Sequence, residues 1–354
     1  METTLERNSY LSHFIGVLVV LMAFTDILQE RILLIASAAT SIVVFILCFP
    51  LKNKNHFSES MLFILILLGT SLLNLFFTEN NFGGSLTLLG NLLLSFLYIN
   101  FNNKKLTLWV VLSYLITILF IGYHLFVLNT HENLIYEGLS RNHAGFAVIF
   151  WTIFLLFHLK LNHNYLPLFP AIIALVLSFF LVGRTSLIVS SILLMVVFYY
   201  KFIERPRILF IAMCIFIGLC YFLWLTLGTD IITNTNLDSG LDTPRWELWQ
   251  IYWENLNFLN LLTGVDVTHL PMYNEFGGNP HNSFIKFHSR VGIGCFFLVA
   301  LYFVSAYKYL KKKNNYILWL LILLTMRAFF DSDILIGNFD FIFFIVTFYW
   351  IKTE

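Results

Sequence analysis

The chain has 354 residues, 59% of them hydrophobic and only 12% charged, with a mean hydropathy of +0.81. A soluble domain carries roughly 25% charged residues. Too little polar surface is present to coat a water-soluble globule, so the surplus apolar side chains must face lipid. The net charge of +1 gives no bulk attraction to nucleic acid.

The first ten residues are polar, with Glu2 and Glu6 beside Arg7. The apolar run after them lacks a small-residue cleavage site and reads as a retained first helix, not a removed signal peptide. A span needs about 20 largely apolar residues to cross roughly 30 Å of hydrocarbon. Runs of that kind begin near Leu11, Ile32, Met61, Gly83, Leu106 and Ala144, then near Tyr165, Thr185, Ile208, Val291, Tyr316 and Gly337. The pattern predicts an all-α integral membrane protein, a bundle of about twelve transmembrane helices. It divides into an N-terminal transmembrane bundle over 1–228, a large extracytoplasmic loop over 229–290 and C-terminal transmembrane helices over 291–354. Cys48, Cys214, Cys220 and Cys295 all sit in apolar runs without CxxC spacing and read as packing residues.

Lys and Arg set the orientation, because they cross the membrane poorly during insertion. With the N-terminus inside, the inner loops hold Arg7, Lys52, Lys54, Lys104, Lys105, Lys160, Lys201, Arg205, Arg207, Lys308, Lys311, Lys312, Lys313 and Lys352. These are fourteen of the 21 Lys and Arg. Both termini are therefore expected in the cytoplasm.

The outward cations are few and mostly arginine. Arg31 stands beside Glu30 and Arg327 four residues before Asp331, and both read as interfacial or paired charges. Arg141 lies in Ser140-Arg141-Asn142-His143 at the mouth of a span, and Arg184 in Gly183-Arg184-Thr185 at a tight outer turn. Arg245 follows Thr243-Pro244, while Lys286 and Arg290 flank the end of the long loop. The planar guanidinium fork suits phosphate and carboxylate oxygens, so converging arginines would suit an anionic headgroup such as a pyrophosphate.

Within the long loop, Thr243 can cap a helix and Pro244 fits its first position. Trp246, Trp249, Trp253 and Leu256 then recur at three- and four-residue spacing, predicting one aromatic stripe on an amphipathic helix. Such a stripe serves either as a membrane-interface face or as a sugar-stacking platform. Gly277-Gly278-Asn279-Pro280-His281-Asn282-Ser283 is a polar turn that runs into a helical segment from Phe284. A neutral His281 imidazole at that helix start can take a proton from a hydroxyl. His288 reads as structural. Asp331-Ser332-Asp333 is a weak divalent-cation pattern, and Asp26 and Glu30 are spare candidates for a catalytic carboxylate. GxGxxG, Walker A, HExxH and GxSxG motifs are all absent.

These residues resemble the bacterial O-antigen polymerase and O-antigen ligase superfamily of membrane glycosyltransferases. The likeness covers the many spans and the long outer loop before the last of them. It also covers Gly183-Arg184-Thr185, Arg245-Trp246 with Trp249, and His281-Asn282 with Gly292 and Gly294 downstream. Cys295 departs from the ligase pattern, which has Gly, Thr or Val there. The resemblance implies a GT-C-like glycosyltransferase of the bacterial inner membrane, without cofactor or metal, whose site faces the periplasm. Its donor would be an undecaprenyl-pyrophosphate-linked oligosaccharide, and a polysaccharide chain-length regulator would be a partner. A polymerase moves the glycan onto another lipid-linked repeat unit; a ligase moves it onto lipid A–core. By this likeness Arg184, Arg245 and His281 are the catalytic candidates, and Arg141, Asn282, Arg290, Trp246 and Trp249 bind substrate. A flippase for the same lipid-linked sugar is the alternative of another class. It fits less well, because transporters place charges near the bilayer midplane and these stand at the outer rim.

Overall fold

The computed structural model describes residues 2–48, 82–208 and 244–353, apart from 137, 138, 140, 276, 277, 333, 334 and 336, and also positions 69, 210, 211, 214 and 218. All regular structure among the described residues is helical. The principal helices are α1 (Glu2–Leu28), α2 (Arg31–Cys48), α3 (Phe82–Phe101), α4 (Thr107–Phe126), α5 (Arg141–His163), α6 (Phe169–Phe180) and α7 (Arg184–Phe202). They continue as α8 (Pro244–Glu254), α9 (Phe258–Thr263), α10 (Pro271–Glu275), α11 (Ser283–Val291), α12 (Gly294–Lys311), α13 (Asn315–Phe329) and α14 (Asp340–Phe348). In hydrocarbon each backbone N–H and C=O must be satisfied within its own segment, which makes the helix the natural form of such runs.

Five helical segments are long and apolar enough to cross a membrane: Tyr10–Leu28, Gly84–Phe101, Lys104–Phe126, Arg141–His163 and Arg184–Phe202. They answer to the runs expected from Leu11, Gly83, Leu106, Ala144 and Thr185. The run from Ile32 forms the 18-residue α2, apolar over Ile32–Leu47, and those from Tyr165 and Tyr316 form shorter apolar helices of 12 and 15 residues. The last run forms α14, whose nine residues are all buried. It continues directly as a 3-10 helix over Tyr349–Thr353. It packs among the neighbouring helices with Asp340 in its first turn. The runs near Met61 and Ile208 lie largely outside the described residues, as do the first part of the long loop and the Thr243 cap.

The chain divides into two compact units, Met1–Thr117 with Arg245–Glu354, and Ile118–Pro244. In the first, α3 packs on α2 and on α14. Gly90 permits the α2 contact, since a Cβ there would lie 2.4 Å from the Ala38 Cα; small residues let apolar helices approach backbone to backbone. On α14, Phe348 stacks with Phe96 at 5.5 Å, and the Val346 carbonyl accepts the Tyr309 hydroxyl at 2.5 Å. In the second unit α5 packs against α6 and α7. Gly145 plays the corresponding role there, because a Cβ on it would lie 2.2 Å from the Ser186 Oγ.

Candidate functional site

Helices α8 to α11 wind around a small core of Leu248, Trp249, Tyr252, Val265, Val267, Tyr273 and Ile285. Two glycines close it. Gly264 (φ +90°) and Gly292 (φ +52°) both adopt the left-handed conformation that other residues avoid. A Cβ on Gly292 would fall 1.9 Å from the Leu262 carbonyl oxygen. The same carbonyl accepts the Ile293 N–H at 3.0 Å, so α9 and the end of α11 meet backbone to backbone.

The turn carrying His281 is held from several sides. The Trp249 indole N–H donates to the Pro280 carbonyl at 2.9 Å. The Asn279 Oδ1 accepts the His281 backbone N–H at 2.8 Å and also the Ser332 hydroxyl. Asn282 caps α11, its Oδ1 accepting the N–H groups of Phe284 at 2.9 Å and Ile285 at 3.1 Å. Ser283 then donates to the Asp331 carbonyl at 2.7 Å, and the Lys286 ammonium to the Ser332 carbonyl at 2.6 Å. Within this frame His281 takes a φ of +50° and is half-buried. A non-glycine residue fixed in that region costs on the order of 1–3 kcal/mol, and the surrounding bonds hold it there.

His288, one turn before the end of α11, is structural. Its Nε2 contacts the Leu261 carbonyl at 3.1 Å and its Nδ1 the Tyr252 hydroxyl at 2.5 Å. Both nitrogens are thereby engaged, and burial lowers the imidazole pKa. Arg290 is half-buried; burial lowers its pKa and the nearby Asp266 carboxylate opposes that.

Behind the turn, the Arg327 guanidinium meets the Asp331 Oδ2 at 3.0 Å, with both side chains almost wholly buried. The i,i+4 pairing expected for Arg327 is present, in the interior instead of at an interface. The second carboxylate oxygen of Asp331 accepts the Ser332 N–H at 2.9 Å. Both oxygens are engaged within the fold, and Asp333 lies outside the described residues. Asp26 is buried near the end of α1 and Glu30 is exposed just beyond it.

On α8 the expected tryptophan stripe is split. Leu248 and Tyr252 are fully buried and Trp249 is nearly so, whereas Trp246 and Trp253 are 50% and 57% exposed. The buried edge runs through 248, 249 and 252 because His288 satisfies the Tyr252 hydroxyl there. Trp249 lies edge-on to Trp246 at 4.8 Å and to Phe329 at 5.2 Å. Arg245 is half-buried in the first turn of α8.

One unit therefore gathers Arg245, Trp246, Trp249, His281, Asn282 and Arg290. Arg141 and Arg184 belong to the other, where they begin α5 and α7 side by side. Arg141 pairs with Glu132 at 3.0 Å. Arg184 follows the turn at Leu181–Gly183, in which the β-branched Val182 holds a φ of +54°. Sequence reasoning missed Asn279, Tyr252 and Ser332 as anchors. The Asn279-Pro280 dipeptide carried the only local signal, that of a turn. No protein-family model matches the chain, and no curated protein and no solved structure is significantly similar to it.

Proposed function

We propose that this protein is a polysaccharide repeat-unit polymerase of a bacterial inner membrane. In this reading about twelve spans carry the chain across the bilayer, both termini lie in the cytoplasm, and the α8–α11 segment faces the periplasm. The substrates are two undecaprenyl-pyrophosphate-linked glycans, one acting as donor and one as acceptor. The acceptor hydroxyl loses its proton to His281 as its oxygen bonds to the donor's anomeric carbon. The bond from that carbon to the phosphate oxygen breaks, and the pyrophosphate leaves with the electron pair. Arg245 neutralises the growing charge, and the capped N-terminus of α11 favours negative charge beside His281.

The observation that carries this reading is the Trp249–Pro280 hydrogen bond, which ties the helix bearing Arg245 to the turn bearing His281. A cation and an imidazole on one braced frame are what transfer from an already activated donor needs. The test is polysaccharide gel analysis of a deletion strain complemented with wild type, Arg245→Ala or His281→Ala. A ladder that collapses to core plus one repeat and returns only with wild type supports the polymerase. Loss of all capping, with lipid-linked polymer accumulating, assigns the ligase reaction instead, and an unchanged ladder overturns both.

A further inference from the structure

The outward face of α8 presents Trp246, Gln250, Trp253 and Glu254, which recur at three- and four-residue steps, with the buried Trp249 at its inner edge. These residues line an open depression of about 600 Å³. We infer that this face is a subsite for the sugar rings of the acceptor glycan, selective for neutral or amino sugars. This rests on the polymerase reading and adds to it where the acceptor lies and which sugars it admits.

The chemistry of the face is mixed in a way that suits sugars. A pyranose offers a C–H face that stacks on an aromatic ring and hydroxyls that both donate and accept. Trp246 and Trp253, each about half exposed, supply indole surface a full two turns apart. Between them the Gln250 amide donates to the Glu254 carboxylate at 2.8 Å. That bond orients both groups and leaves an amide oxygen, a second amide N–H and a second carboxylate oxygen as further hydrogen-bonding capacity. The Glu254 charge opposes uronate and phosphate groups, hence the selectivity.

A helix lying in the bilayer would look different. Its apolar face would enter the lipid and its polar face would carry Lys and Arg. Here the most apolar edge, Leu248 and Tyr252, is already buried in protein. Sinking the opposite face into hydrocarbon would strip a carboxylate and an amide of water. The depression also adjoins the chemistry. Trp249 forms its wall, and the indole N–H of that residue holds the carbonyl immediately before His281.

The test uses the full chain in lipid nanodiscs. The probe is the oligosaccharide released by mild acid from the host's own lipid-linked glycan pool, with a galacturonate trimer as acidic counterpart. Saturable change in tryptophan emission is expected with the released oligosaccharide. Trp246→Ala and Trp253→Ala should each weaken it at least tenfold, and Gln250→Ala severalfold, while the acidic trimer should not compete. Since these side chains are exposed, size-exclusion profiles should match wild type. No saturable change, or binding indifferent to all three substitutions, overturns the subsite. So does quenching by brominated lipid that disappears in the two tryptophan variants, which would put the face in the bilayer. Binding needs no turnover, so the two readings fail separately. Polymer that depends on His281 with no binding at α8 retires only the subsite. Binding at α8 with a ladder indifferent to His281 retires the polymerase.

Discussion

The Tyr252 hydroxyl and the His288 Nδ1 stand 2.5 Å apart, and the far side of the imidazole decides which of them carries the proton. There the Nε2 meets the Leu261 carbonyl, which can only accept. Nε2 is therefore protonated, Nδ1 accepts, and Tyr252 donates. The imidazole is neutral and joins α8, α9 and α11 through one ring. Its place in the fold leaves it unsuited to act as a base.

Acid should loosen this joint. Burial holds the folded pKa of His288 below the ordinary 6.5, so the unfolded chain binds more protons between the two values. Stability is accordingly full at neutral pH and falls as pH drops through about 6.5 toward the folded value. A thermal-unfolding series from pH 8 to pH 5 should show a midpoint that declines below about 6.5. His288→Gln, which keeps a donor and an acceptor, should flatten that part of the curve. Tyr252→Phe should cost about 1–3 kcal/mol at neutral pH by leaving a buried nitrogen unsatisfied. An identical pH profile in wild type and His288→Gln would refute the assignment.

The Arg327–Asp331 pair makes a second prediction. Its charges are almost fully buried, so removing one leaves the other uncompensated at a cost of about 3–5 kcal/mol. Arg327→Met and Asp331→Leu should each reduce the yield of monodisperse protein in detergent. The double substitution should recover most of it, since an apolar pair of similar volume carries no desolvation penalty. The Asp331 carbonyl also accepts from Ser283. Recovered protein should therefore keep the α11 N-terminus in place, seen as retained protection of the Phe284 and Ile285 amides in hydrogen exchange. A double variant no better than the singles would show that the pair stabilises by geometry, not by charge compensation.

Gly292 offers a sharper contrast. It combines positive φ with a Cβ position 1.9 Å from backbone. Gly292→Ala should cost on the order of 3 kcal/mol or more, because neither the turn nor the Leu262 carbonyl has room to yield. Gly122 in α4 has nothing among the described residues within 4 Å of its Cβ position. Gly122→Ala should be neutral, or stabilising by about 0.5–1 kcal/mol through helix propensity. Thermal midpoints of the two variants in the same detergent check both statements.

What the sequence made legible follows a physical divide. Composition and run length revealed an all-helical chain with membrane-length segments, because hydropathy is a property of a contiguous stretch. The same counting could not tell that the run near Gly337 is enclosed by neighbouring helices. A buried helix and a lipid-facing one are equally apolar, and only neighbours such as Phe96 distinguish them. At the candidate site, Pro244 and the polar turn before Phe284 were readable as helix starts since turn and first-position chemistry is local. The Tyr252–His288 and Ser332–Asn279 contacts join residues 36 and 53 positions apart, and no spacing rule reaches that far. The tryptophan stripe misled for a related reason. Periodicity identifies a face, but the partner that Tyr252 finds decides which face is buried.

Trp249 carries the last prediction, because its indole bonds α8 directly to the His281 turn. Trp249→Phe keeps an aromatic wall against Phe329 and removes only the donor, leaving the Pro280 carbonyl to find another partner. The net loss of one hydrogen bond is worth about 1 kcal/mol of stability, so the protein should fold and reach the membrane. In the proposed reaction the rate should suffer more, since a shift of the turn would misplace His281 relative to the acceptor. With purified lipid-linked repeat unit, Trp249→Phe is expected to lower kcat roughly tenfold or more with little change in KM. The pH dependence of kcat should stay the same, because the base is unaltered. Trp249→His, which restores a ring N–H, should recover part of the rate. A rise in KM with kcat intact would instead assign Trp249 to acceptor binding alone and separate the turn from the aromatic face.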